Sequence, residues 1–162
     1  MHRTGHYGAA LIFYAPLGLL ITLLINLEFA FVGGAGAVAL SMIPDWDMKI
    51  PGIKHRGITH TIHFAVFVSA LVGLGGFVLG VQSTLAAGLV LGGFAFAVST
   101  VSLGSHIAAD ALTPAGVEPF LDDRHYSYDI ARAANPIANY GLLAFGVLVT
   151  GLAVLTAGVL GL

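Results

Sequence analysis

Four short polar clusters interrupt an otherwise apolar chain: Gly5-His6, Pro44-Asp45-Trp46-Asp47, His55-Arg56-Gly57-Ile58-Thr59-His60-Thr61 and Ser105-His106-Ile107-Ala108-Ala109-Asp110. Imidazole nitrogen and carboxylate oxygen are donors that zinc, manganese and iron accept. The chain has no cysteine, so any metal must be held by nitrogen and oxygen. His106 and Asp110 are four apart on a helix, which puts them on one face where both can meet one cation. Asp45 and Asp47, in a turn where Pro44 ends the preceding helix, can share one ion or bridge two. In the third cluster Gly57 lets the backbone turn, and Thr59 is expected to cap the next helix, placing His60 in its first turn.

Taken singly, a histidine or aspartate at a membrane boundary is most simply an interfacial, hydrogen-bonded group. Several together near a low-dielectric boundary would cost several kcal/mol unless paired or metal-bound. More than four donors suggest two ions rather than one. Two ions suit phosphoester hydrolysis, in which they activate water and stabilise both oxygens of the displacement.

The elements that must position these groups are membrane helices. Of the 162 residues 57% are hydrophobic and 9% charged, and the mean hydropathy is +0.94, against about 25% charged in a soluble domain. No Asp, Glu, Lys, Arg or His occurs from Phe64 to Ser105, long enough for two spans of about 20 residues. The polar segment Val81 to Thr84 divides that stretch into helices near 61–80 and 84–110. Residues 8–26 and 133–162 form the first and last spans. Phe29 to Ile43 is a further, shorter one, rich in glycine and either re-entrant or tilted, because about 15 residues at 1.5 Å fall short of a 30 Å core. The expected fold is therefore all-α: a polytopic membrane helical bundle of about five transmembrane segments in a single integral membrane domain, 1–162. The first apolar stretch lacks a basic leader and a cleavage site and is read as a retained span.

Threading five spans puts the N-terminus, the 44–60 loop and the 111–135 loop on one side. All six basic residues, seven of eight acids and all seven histidines fall on or near that face. The positive-inside rule makes it cytoplasmic in the plasma membrane, with the C-terminus outside. The net charge of −2 gives no basic surface for nucleic acid. Lipid is the expected environment and a candidate substrate, while oligomeric state is left open.

In order and composition these motifs, with Thr113-Pro114-Ala115-Gly116, resemble the LexA-binding, inner membrane-associated hydrolases, also called metal-dependent membrane hydrolases. The resemblance covers residues 5 to 120 and extends distantly to zinc-dependent phospholipase C and the S1/P1 nucleases. It implies ligation of divalent metal, two or more zinc ions or else Mn2+ or Fe2+, by His6, Asp45 or Asp47, His55 or His60, and the His106/Asp110 pair. It further implies Thr59 and Thr113 as groups behind the ligands and Arg56 as a phosphate contact. Asp45, Asp47 and Arg56 are the expected catalytic residues. Two positions depart from the family pattern: Met48 stands where a histidine is frequent, and Thr61 where serine is frequent.

The resulting expectation is a membrane-embedded, metal-dependent hydrolase that cleaves a phosphoester of the lipid-headgroup class by metal-activated water. The alternatives are a metal or proton transporter, which needs polar groups deep in the spans, and a metal-stabilised structural membrane protein. His2 is expected to be solvated, His63 to pack between helices, and His125 to lie at the surface. Glu118, Asp122, Asp123 and Asp129 are expected in a solvated loop.

Overall fold

A computed structural model describes residues 1–122 and 124–160. Asp123, one of the expected loop acids, lies outside the described residues. The five helices are α1 (Arg3–Leu24), α2 (Leu27–Leu40), α3 (Ile62–Val81), α4 (Leu85–Ala111) and α5 (Pro136–Val159). Among the described residues there is no strand, and the fold is the expected polytopic helical bundle. By length and composition there are five candidate spans, the second running from Leu27 to Lys49. The α-helical part of that span is 14 residues, about 21 Å at 1.5 Å per residue, and it is completed by a 3-10 helix over Pro44–Lys49.

The helix starts follow from their capping residues. Asn26, Thr61, Thr84 and Asn135 each accept a bond from the backbone N–H three residues on, at 2.8, 3.1, 3.0 and 3.2 Å. Such bonds satisfy donors that a helix start otherwise leaves open. Thr61, not Thr59, therefore caps α3, and His60 ends a separate 3-10 turn over Ile58–His60. A serine at this position could cap equally well, because only the hydroxyl is used. α1 begins at Arg3, earlier than expected, so His6 lies inside the helix rather than before it. Pro44 opens the 3-10 helix instead of closing α2, which has ended at Leu40. The left-handed turn in the third cluster falls on Arg56 (φ 61°), one residue before Gly57.

Packing depends on small residues, as it does where lipid supplies no hydrophobic drive between helices. α1 and α5 approach so closely at Gly8 and Gly146 that a side chain on Gly8 would run into the Leu142 backbone. α3 and α4 meet along Gly73, Gly76 and Gly80 against Gly88 and Gly92. α2 is tied to its neighbours by polar bonds: the Ser102 hydroxyl donates to the Ala37 carbonyl at 2.5 Å and the Tyr14 hydroxyl to the Ala30 carbonyl at 2.6 Å. The connection from α4 to α5 folds back over the end of α4, with Tyr128 and Ile130 donating to the carbonyls of Ala111 and Leu112. Glu118, Asp122 and Asp129 are exposed on it. With the bundle threaded this way, the starts of α1, α3 and α5 and the ends of α2 and α4 share one face.

Candidate metal centre

That face brings together residues from four separate segments. His6 comes from the first turns of α1, Asp45 and Asp47 from the 3-10 helix after α2, His55 and His60 from the loop before α3, and His106 and Asp110 from the last turns of α4. His6, Asp47, His60, His106 and Asp110 are essentially without solvent contact and Asp45 is 7% exposed. Two groups of donors could each hold an ion, their ligand atoms lying within 4.8 Å of one another: His6, Asp45, His106 and Asp110 form one, and Asp45, His55 and His60 the other. Asp45 belongs to both.

Hydrogen-bond partners fix which way the imidazoles present their lone pairs. His106 Nδ1 lies 2.6 Å from the Ser41 carbonyl, an acceptor only, so Nδ1 carries the proton and Nε2 is bare. The Thr59 hydroxyl donates to Asp47 Oδ2 at 2.6 Å, so its oxygen accepts from His60 Nδ1 at 3.0 Å. His55 Nδ1 donates to Asp47 Oδ1 at 2.9 Å. In all three rings Nδ1 carries the proton and Nε2 is left bare, and the Nε2 atoms of His60 and His106 meet at the centre, the pattern by which carboxylates and carbonyls orient metal-binding histidines. Asp47 stands behind two of them: it holds His55 directly and His60 through Thr59.

The consequence is a convergence of acceptors. His60 Nε2 and His106 Nε2 are 3.1 Å apart, and Asp45 Oδ1 is 3.4 Å from each. Asp110 Oδ2 lies 3.4 Å from His60 Nε2. Bare lone pairs and carboxylates do not gather in a buried space without a cation to hold them, because unpaired burial costs several kcal/mol. Burial disfavours a charged His60, yet the Asp110 and Asp45 carboxylates outweigh it and raise the His60 pKa above its ordinary 6.5. The carboxylates thus favour positive charge at this point, which divalent ions held by the two donor groups would supply. His6 stacks on His106 with ring centroids 3.7 Å apart; its Nε2 lies 3.1 Å from the Met1 carbonyl and 3.8 and 3.6 Å from Asp45 and Asp110, and its buried Nδ1 has no hydrogen-bond partner. On donor chemistry, convergence and this orphaned nitrogen, the residues fit a metal centre.

Arg56 closes the rear of the site. Its guanidinium donates to Asp110 Oδ1 at 2.8 Å, to the Thr113 hydroxyl at 3.0 Å and to the Gly116 carbonyl at 3.0 Å. The Thr113 hydroxyl in turn donates to the Asp110 carbonyl at 2.8 Å. Arg56 also donates its backbone N–H to Asp47 Oδ2 at 3.3 Å. The backbone nitrogen of Met1 contacts Asp110 Oδ1 as well.

A cavity of about 850 Å³ opens onto the centre, with Asp45, His55, Arg56 and Asp110 among its walls and Arg3 and Lys49 beside them. Met48, where the resemblance led to the expectation of a histidine, is 62% exposed and lines this cavity rather than joining a donor group.

His63 lies exposed on α3 and belongs to neither donor group; the expected interhelical packing is replaced by an outward-facing ring. His2 is exposed and His125 sits at the surface 3.7 Å from Glu118. Sequence reasoning missed two supports. Asn139 on α5 is buried, and it accepts from the His2 backbone at 3.0 Å while donating to the carbonyls of Ala133 and Asn135. Its only sequence signal is an amide one turn inside an apolar span. The Ser41 carbonyl that orients His106 is a backbone group and leaves no sequence signal.

One family model matches, over residues 1–160, and it is described as YdjM inner membrane protein. Curated proteins and solved structures give no match.

Proposed function

From the premise that the chain belongs to the YdjM inner membrane protein family, a multi-pass membrane protein with a buried His/Asp centre, we propose that it is a metal-dependent hydrolase of phosphoesters in the lipid-headgroup class. The observation that carries this is the meeting of bare His60 and His106 Nε2 atoms with the Asp45 and Asp110 carboxylates beside a water-accessible cavity.

His6, His106, Asp110 and Asp45 would hold one ion, and Asp45, His55 and His60 a second. When bound, such ions supply a Lewis acid and lower the pKa of a coordinated water. Asp47 positions His55 and His60 and need not touch an ion to be required. Asp45, common to both donor groups, faces the cavity and would link the two ions. Arg56 fixes Asp110 and adds positive charge at the cavity wall, where Arg3 and Lys49 extend it. Together these cations favour a phosphate that gains negative charge as it is attacked.

The charge distribution favours a cytoplasmic site by the positive-inside rule. Transport is the weaker alternative, because from Phe64 to Ser105 the spans carry no ionisable side chain to continue a path from the centre. The test is hydrolysis of bis(p-nitrophenyl) phosphate by purified protein before and after chelation. Activity that vanishes on chelation and returns with zinc or manganese supports the proposal; a chelator-insensitive rate, or none with any metal, removes it.

A further inference from the structure

A second cavity, of about 550 Å³, lies between α1, α2 and α5 and is distinct from the polar one. Tyr7 and Ala39 line both, so the two adjoin at the face that carries the candidate metal centre. From there the second follows α1 to Thr22 and α2 back to Leu27. Fifteen residues of α1 at 1.5 Å give a length of about 22 Å, longer than the roughly 15 Å of one hydrocarbon leaflet.

Its walls are apolar in a specific way. Four hydroxyl side chains line it; Tyr7 stands at the end next to the polar cavity, and the other three are each turned onto a backbone carbonyl: Tyr14 onto Ala30 at 2.6 Å, Thr22 onto Gly18 at 2.9 Å, and Thr150 onto Leu11 at 3.4 Å. Beyond Tyr7 every lining hydroxyl proton is taken by a backbone carbonyl, so the groove suits hydrocarbon. Its floor is made of small residues, Ala15, Gly18, Ala30 and Gly34 among them, which leaves room between helices that elsewhere pack in contact.

We propose that this groove holds one acyl chain of a membrane phospholipid whose phosphate sits in the polar cavity. The inference rests on the phosphoesterase proposal above and deepens it by naming the substrate as an acyl-chain phospholipid. The occupant follows from adjacency and charge: the polar cavity at one end is bordered by Arg3, Lys49 and Arg56, matched to a phosphate, and the apolar groove beside it runs at the depth where acyl chains are the solvent. A soluble phosphoester or a second protein copy would use only one of the two parts.

The test uses the full chain in nanodiscs containing a phosphatidic acid analogue with a diazirine midway along one acyl chain. Photolabel should concentrate on peptides of α1 and α2, and it should do so in His106→Ala as well, since chain binding does not require turnover. Ala35 is exposed and lines the groove, so Ala35→Trp should fill it without disturbing the core. Labelling should then fall at least about tenfold, the effect of leaving roughly two methylenes unburied, while the lipid-facing control Leu74→Trp changes nothing. Label spread evenly over all lipid-facing helices, insensitivity to Ala35→Trp, or cross-links between copies across the groove would each overturn the inference. Groove labelling without any phosphoester hydrolysis would instead remove the hydrolase proposal and leave the lipid groove standing.

Discussion

Replacing Asp45 with asparagine keeps the side chain's shape and removes its charge, at the one residue common to both donor groups. Its carboxylate lies 3.4 Å from both His60 and His106 Nε2, so an ion bound by either ring would sit within about 4 Å of it. At that separation and an effective dielectric of about 20, one pair of unit charges is worth about 4 kcal/mol. Losing it should weaken each ion's binding by at least about a thousandfold. The assay is metal analysis of purified protein after dialysis against a weak chelator, with His55→Ala as the comparison because His55 belongs to one group only. About two ions per chain are expected in the wild type, about one in His55→Ala and close to none in Asp45→Asn, the group sizes being those of separate three- and four-donor sites. Asp45→Asn protein that keeps its helical circular dichroism and retains as much metal as His55→Ala would refute the shared-carboxylate reasoning.

Arg56→Ala should destabilise the protein by about 3 kcal/mol, because it strands the buried Asp110 carboxylate and empties three hydrogen bonds. Arg56→Lys should recover only part of this, as read by thermal unfolding in detergent, since an ammonium lacks the planar fork. Gly8→Leu should cost about 1–3 kcal/mol or more by forcing α1 from α5, visible as a lowered unfolding temperature. For metal-free protein the raised His60 pKa sets the sign of the pH dependence. The stabilisation is fully present below about 6.5 and is lost as pH rises through the higher folded value. Metal must displace that proton, so zinc affinity measured by competition titration should strengthen as pH rises over the same range.

The sequence made the membrane bundle and the polar clusters legible for different reasons. A span is a compositional property, so the uncharged run from Phe64 to Ser105 identified α3 and α4 to within a few residues. The polar clusters were legible because ionisable groups are costly at a membrane boundary. What spacing could not show was the division of labour within them. Asp45 and Asp47 are chemically identical and two apart, yet one faces the centre and the other turns away to hold His55 and Thr59, a distinction made by the 3-10 geometry of Pro44–Lys49. Thr59 and Thr61 posed the same problem: both can cap, and only the chain direction at Ile62 decided which does. The acyl groove was invisible because its residues come from three helices and carry no signal beyond small size.

The most direct measurement titrates zinc or manganese into stripped wild-type protein in lipid nanodiscs and follows phospholipid cleavage by 31P NMR. Cleavage should rise with added metal, reach a plateau near two equivalents per chain as the two donor groups fill, and be absent throughout in His106→Ala. A phospholipid signal that stays unchanged at every metal ratio, or a cleavage rate equal in wild type and His106→Ala, would contradict it.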